Sequence, residues 1–87
     1  MKEGMIVISR AGHDKGSAMV VVSVEGDFAL VCDGKHRPLD RPKRKKHKHL
    51  CPTTTFLNAQ DYQTNKSLRR SLAIFKLSLK KEELDLG

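Results

Sequence analysis

The chain has 87 residues, which is enough for one small domain with a modest hydrophobic core and too few for two domains. Its 17 Lys and Arg residues against 10 acids give a net charge of +7, which favours a polyanionic partner such as nucleic acid. No apolar run approaches the roughly 20 residues that cross a bilayer, and the N-terminal segment lacks the features of a signal peptide. We therefore expect a cytoplasmic protein with no membrane partner.

Three short apolar segments predict β-strands in the N-terminal part of the chain. They are GMIVIS at 4–9, SAMVVVSV at 17–24 and FALVCD at 28–33, and β-branched residues in them favour strands over helices. Gly12 and Gly16 lie in the first connecting segment, where glycine permits the positive φ that a tight loop requires. A meander of three short strands must curl or recruit further strands to bury its apolar face.

The segments that follow complete the predicted fold. Two further short strands, at 37–39 and 46–52, would close a small barrel over residues 1–54, and a linker would follow at 55–64. We therefore predict a mainly β protein: a small SH3-like barrel of about five strands with one C-terminal α-helix.

The spacing of apolar residues after the linker predicts an amphipathic helix over 65–80, packed on the barrel. Apolar residues recur there at intervals of four, three and four, at Leu68, Leu72, Phe75 and Leu79. Asn65 is suited to the N-cap position, because its side chain can accept from free backbone donors of the first turn. Residues 81–87 are predicted as a frayed tail. The outward face would add a second positive surface, formed by Lys66, Arg69, Arg70 and Lys76.

The most charged segment is KHRPLDRPKRKKHKH, from Lys35 to His49. It holds eight of the 17 Lys and Arg residues and three of the four His, against the single acid Asp40. Such a run cannot be buried, so it is either solvated or neutralised by a polyanion. We expect it to form a loop that binds RNA, with the first loop extending the surface. The predicted RNA-binding residues are Arg10, His13, Lys15, Lys35, His36, Arg37, Arg41, Lys43, Arg44, Lys45, Lys46, His47 and Lys48.

Several of these segments resemble a known family. Residues 3–31, with Gly16 between two apolar strands, resemble a KOW motif, a strand-loop-strand element of many ribosomal and transcription-elongation proteins. More narrowly, GMIVISRAGHDKGSAMVVV, ALVCDG and HLCPT are similar in order to the fourteen-e family of large-subunit ribosomal proteins, over about residues 3–54. The resemblance implies a KOW-type SH3-like barrel that binds structured ribosomal RNA, with other ribosomal proteins as further partners. It implies the same basic regions as the RNA-binding surface.

Two other functions fit the same residues. One is a protein-interaction module of transcription elongation or antitermination that contacts nascent RNA. The other is a zinc-stabilised binding module, because His47, His49 and Cys51 would face one way on a strand and Cys32 or His36 would complete four ligands. Paired ligands at the usual zinc spacing are absent from the sequence, so we expect no metal and no cofactor.

Catalysis and base-specific readout have less support in the sequence. Asp14 and Asp33 are better explained as turn-capping residues than as members of acid-base pairs, so we expect neither an enzyme nor a small-molecule substrate. Of the four aromatic residues, Phe28 and Phe75 are expected inside the barrel, and Tyr62 is expected to be half-buried. We therefore expect recognition of RNA shape and backbone.

Overall fold

Five strands and one long helix make up the chain. The computed structural model describes the backbone of residues 1–86 and the side chains of residues 1–79. The elements are β1 (Met5–Ser9), β2 (Ala18–Glu25), β3 (Phe28–Cys32), β4 (Lys43–Lys46), β5 (Leu50–Phe56) and α1 (Asn65–Leu86). The strands form one antiparallel sheet in the order β4-β3-β2-β1-β5, so β4 and β5 are its edges. The predicted fold class, mainly β with five strands and a C-terminal helix, is confirmed.

On one face of the sheet, the side chains of different strands are buried against one another. A cluster of six buried residues joins four strands: Val7, Met19, Val21, Ala29, Val31 and Leu50. None of the described side chains of α1, up to residue 79, belongs to this cluster, so the sheet must curl to remove these side chains from water. Register shifts between Met5 and Val7 and between Val21 and Ser23 mark bulges, which bend strands and increase their twist. The result is a barrel-like sheet with an aliphatic interior.

The helix covers the opposite face of the same strands. Side chains that alternate with the interior ones, at Ile6, Ala18, Val20 and Cys32, pack against Leu68, Leu72 and Phe75 of α1. Leu79 was predicted to continue this stripe but is 44% exposed. Among the described residues, the stripe is therefore buried only as far as Phe75.

The start of the helix differs from the prediction at one residue. Thr64 is the capping residue, because its hydroxyl accepts from the Ser67 backbone N–H at 3.0 Å while the Ser67 hydroxyl accepts from the Thr64 backbone N–H at 3.0 Å. Asn65 is the first helical residue, and its side-chain oxygen accepts a hydrogen bond from the Leu39 backbone N–H at 2.8 Å. Asn65 thus ties a distant loop to the helix instead of capping it.

Several predicted boundaries were wrong. No strand forms at 37–39, and the predicted strand at 46–52 is divided by a 3-10 turn over His47–His49. The predicted linker at 55–64 holds the end of β5 and a second 3-10 turn, Ala59–Tyr62. Tyr62 is half-buried, as expected, and packs against the cluster between the sheet and α1.

The helix is also longer than predicted. The segment predicted as a frayed tail is helical as far as Leu86, and Gly87 lies outside the described residues. Within the described part of the chain, no helix is both long and apolar enough to cross a membrane.

Candidate nucleic-acid interface

The basic run is not a single loop. The structure divides it into a loop over residues 33–42, the edge strand β4 and the 3-10 turn His47–His49. Because side chains alternate along a strand, the four cations of β4 do not share a face. Arg44 and Lys46 lie opposite Leu30 and Phe28 on β3, whereas Lys43 and Lys45 lie opposite the interior residues Val31 and Ala29.

Arg44, Lys46 and Phe28 form a cationic and aromatic surface at the edge of the sheet. The guanidinium carbon of Arg44 is 3.9 Å from the centre of the Phe28 ring, and the Lys46 Nζ is 6.0 Å from it. Both distances fall within the range of cation–π attraction. Phe28 was expected inside the barrel but is only half-buried. A sheet therefore holds two cations beside an accessible ring, and neither charge is paired with a carboxylate among the described residues.

Lys45 does not belong to the surface. Its side chain is 8% exposed, and its Nζ donates to the Asp14 carboxylate at 2.8 Å and to the Ala11 carbonyl at 3.0 Å. Its expected role as a phosphate contact is therefore wrong, because the ammonium is committed to a buried ion pair. This pair joins the edge strand β4 to the β1–β2 loop, which also corrects the expectation that Asp14 only caps a turn.

Two effects act against each other on the Asp14 carboxyl. Burial by itself raises its pKa, but hydrogen bonds from Lys45 and Ser9 stabilise the carboxylate and hold the pKa below its usual value of 3.8. Asp14 is therefore ionised at neutral pH, as the ion pair requires.

The loop over residues 33–42 is held at both ends. The Asp33 carboxylate accepts from the backbone N–H groups of Lys35 and Arg37, each at 2.8 Å, so Asp33 caps a turn as expected. The Arg69 guanidinium donates to the Gly34 carbonyl at 2.8 Å, and Asn65 binds the other side of the loop. These contacts order the cations that the loop carries.

Four of the remaining predicted site residues border cavities at the same loop. His13, His36 and Arg37 border one cavity of about 510 Å³, and Lys35 and His36 border a second of about 350 Å³ with Arg69 and Lys76 of the helix. Arg10, Lys15, Arg41 and Lys43 are also exposed. The loop over residues 33–42 follows the C-terminal end of β3, whereas Phe28 begins that strand. At about 3.3 Å per residue, the two cationic regions are separated by about 13 Å along β3.

The metal-ligand hypothesis does not fit the arrangement of the candidate ligands. Cys32 is buried in the cluster between the sheet and α1. This burial raises the pKa of its thiol to about 11, which disfavours the thiolate that zinc requires. Cys51 is exposed on β5, and His47 and His49 lie on a 3-10 turn, so the alternation of a strand is lost. Among the described residues, no group of three or more His, Cys, Asp or Glu is placed to hold a metal ion.

Sequence reasoning missed two contributors to the surface. Phe28 was expected inside the barrel, although it follows a turn and alternates with the small interior residues Ala29 and Val31. Arg69 was expected to face solvent, and its bond to Gly34 depends on a contact 35 residues away that no local pattern indicates.

A comparison with known protein-family models found no match, and a comparison with curated proteins also found none. The resemblance to KOW proteins therefore rests on residues 3–54 of the sequence alone.

Proposed function

We propose that this protein is a non-enzymatic RNA-binding protein that uses the cationic edge of its barrel to hold structured RNA. The observation that carries the proposal is the pairing of Arg44 and Lys46 with the ring of Phe28 on strands β3 and β4. Cations neutralise phosphates, and an accessible ring offers a surface for a base, so both parts of a nucleotide find a partner here.

The rigidity of the scaffold supports this proposal. Arg44 and Lys46 project from a paired strand, and the loop that carries Lys35 and Arg37 is bonded to the helix and to Asp33. Cations held in place lose less conformational entropy when they bind than cations on a free chain do. A merely solvated basic loop has no need of these tethers.

The resemblance to the fourteen-e family makes ribosomal RNA of the large subunit the proposed target, in the cytoplasm. Sedimentation of the tagged protein with ribosomal particles, washed at rising salt, tests this part. We expect the protein to stay with large-subunit particles at physiological salt. Protein that is free at that salt contradicts the ribosomal target without contradicting RNA binding.

Binding to purified structured RNA tests the proposal directly. If about six phosphates are neutralised, affinity should fall by roughly three orders of magnitude between 50 and 200 mM salt. Fluorescence anisotropy with labelled ribosomal RNA hairpins measures this dependence. Absence of binding at 50 mM salt would contradict the proposed function.

A protein partner is a second candidate, and a specific observation favours it. Ile74 and Leu77 of α1 are 59% and 67% exposed, although they are large apolar residues. In this alternative the helix binds a protein of transcription elongation or antitermination while the barrel contacts nascent RNA. The double variant Ile74→Glu, Leu77→Glu separates the two functions, because it should abolish protein binding and leave the affinity for purified RNA unchanged.

A further inference from the structure

A cavity beside Phe28 contains the groups needed to bind one nucleotide. Its volume is about 500 Å³, within the range of small-ligand sites. Five residues line it: Asp27, Phe28, Lys46, His47 and Lys48. We propose that it receives a single unpaired nucleotide of the bound RNA, whose base stacks on Phe28 and whose phosphate contacts Lys46 and Lys48. This inference rests on the proposed function and adds a substrate class, because recognition of duplex shape alone requires no such site.

The Phe28 ring is placed to stack on a base. Arg44 contacts the ring at 3.9 Å but is not among the residues that line the cavity, whereas Phe28 is. The guanidinium therefore packs on the ring from outside the cavity, while Phe28 forms part of the cavity wall. Stacking of a base on an aromatic side chain tolerates any base, because every base has a π face.

The walls of the cavity are joined by a backbone hydrogen bond. The His47 N–H donates to the Asp27 carbonyl at 3.0 Å, which ties the 3-10 turn to the β2–β3 turn. The site is thus formed before any ligand binds, which lowers the entropic cost of binding.

The charged residues that line the cavity match the rest of a nucleotide. Asp27 is the only acid among the five lining residues, so phosphate is favoured on the side of Lys46 and Lys48. The Asp27 carboxylate is an acceptor for a base amino group.

A pair of RNA hairpins tests the proposal at one fixed salt concentration. One hairpin is fully paired, and the other carries a single bulged 2-aminopurine, whose fluorescence is quenched when it stacks. We expect the wild-type protein to bind the bulged hairpin about tenfold more tightly than the paired one, a size typical of one base stacked on an aromatic ring. We also expect the 2-aminopurine fluorescence to fall when the protein binds.

Variants of Phe28 supply the controls. Phe28→Leu should lose the tenfold preference and the quenching, while Phe28→Trp should retain both. Phe56→Leu is the matched control, because Phe56 is 50% exposed on β5, at the opposite edge of the sheet. It should behave as the wild type does. If Phe28→Leu fails to fold, the binding of the wild-type protein to the bulged and paired hairpins still tests the nucleotide site.

The outcomes separate this inference from the function on which it rests. Equal binding of both hairpins without quenching overturns the nucleotide site and leaves RNA binding in place. Failure to bind either hairpin overturns the proposed function as well. If adenosine monophosphate alone binds as tightly as the bulged hairpin does, the assignment of the site to RNA is overturned.

Discussion

Lys45 has a role that its neighbours in the chain do not share. It lies in a run of four cations, yet its ammonium is desolvated and bonded to Asp14 and Ala11. Removing a charge from water is costly, and here the opposite charge and the hydrogen bonds offset that cost. Lys45 therefore holds the edge strand β4 against the β1–β2 loop and does not belong to the surface that attracts a polyanion.

Lys45→Met tests this role, because Met retains most of the apolar stem and removes the ammonium. Asp14 would then be an unpaired buried carboxylate, so we expect the free energy of unfolding to fall by about 3 kcal/mol. Urea denaturation measures the change. Lys43→Met, at an exposed position of the same strand, should change it by less than about 0.5 kcal/mol. Equal midpoints for the two variants would contradict the structural role of Lys45.

The ion pair also predicts how stability depends on pH. The pKa of Asp14 is lower in the folded protein than in the unfolded chain, so the unfolded chain binds the proton first as pH falls. The stabilisation from Asp14 is therefore complete above the usual pKa of 3.8 and is lost as pH drops through the folded value. Unfolding measured at pH 7 and pH 3 should show a larger loss for the wild type than for Asp14→Asn. Equal losses of stability in the wild type and in Asp14→Asn would refute the role of the Asp14 carboxylate.

At the scale of elements, the N-terminal end of the helix determines where the basic loop lies. Gly34 has a φ of +80°, and a Cβ at this position would come within 2.6 Å of the Asn65 carbonyl oxygen. Glycine is therefore required at position 34 for two reasons: the positive φ and the close approach of the loop to the helix. The side chains of Asn65 and Arg69 then bind the loop on either side of this contact.

Gly34→Ala and Gly16→Ala form a matched pair that isolates the contact with the helix. Both glycines have positive φ, at +80° and +89°, but a Cβ on Gly16 would meet no atom within 4 Å. We expect Gly16→Ala to lower the unfolding free energy by about 1 kcal/mol from backbone strain alone, and Gly34→Ala to lower it by about 3 kcal/mol. Thermal or urea unfolding measures both. If the two losses are equal, the loop does not pack on the helix as described.

At the scale of the whole molecule, cations occupy two regions along one edge of the sheet. One region surrounds Phe28, and the other surrounds the loop over residues 33–42, about 13 Å away along β3. Strand β4 runs between them and presents cations on both of its faces. This distribution favours a ligand that extends over several phosphates.

Removing surface cations should weaken RNA binding without unfolding the protein. The triple variant Lys43→Ala, Arg44→Ala, Lys46→Ala should lower affinity for structured RNA by about two orders of magnitude and reduce the salt slope by about three. Its melting temperature should change little, because exposed charges contribute little to stability. Anisotropy titrations and thermal unfolding measure the two effects.

A second triple variant controls for net charge. Lys2→Ala, Lys66→Ala, Arg70→Ala removes the same number of exposed cations from outside the basic run. It should weaken RNA binding far less. Equal losses of affinity in the two variants would show that total charge, and not the edge of the barrel, governs binding.

The local pattern of residue types in the sequence was sufficient to predict most of the fold. Short β-branched segments predicted β1, β2 and β3 within about a residue, and apolar spacing predicted the helix and its contacts through Leu68, Leu72 and Phe75. The remaining strands were misplaced because β4 consists of four cations and has no apolar pattern of its own. Pairing with β3 forms that strand, and no propensity of the isolated segment indicates it.

Some properties were determined by the sequence alone: the net positive charge, the concentration of cations in one segment, and an apolar alternation that requires a curled sheet. The tertiary structure alone decided which cations of the basic run face solvent. Side chains alternate between the two faces of β4, and the Asp14 carboxylate, 31 residues away in the chain, binds Lys45. The tertiary structure also decided that Phe28 lies beside Arg44, since contacts between strands depend on register, and register is a property of the assembled sheet.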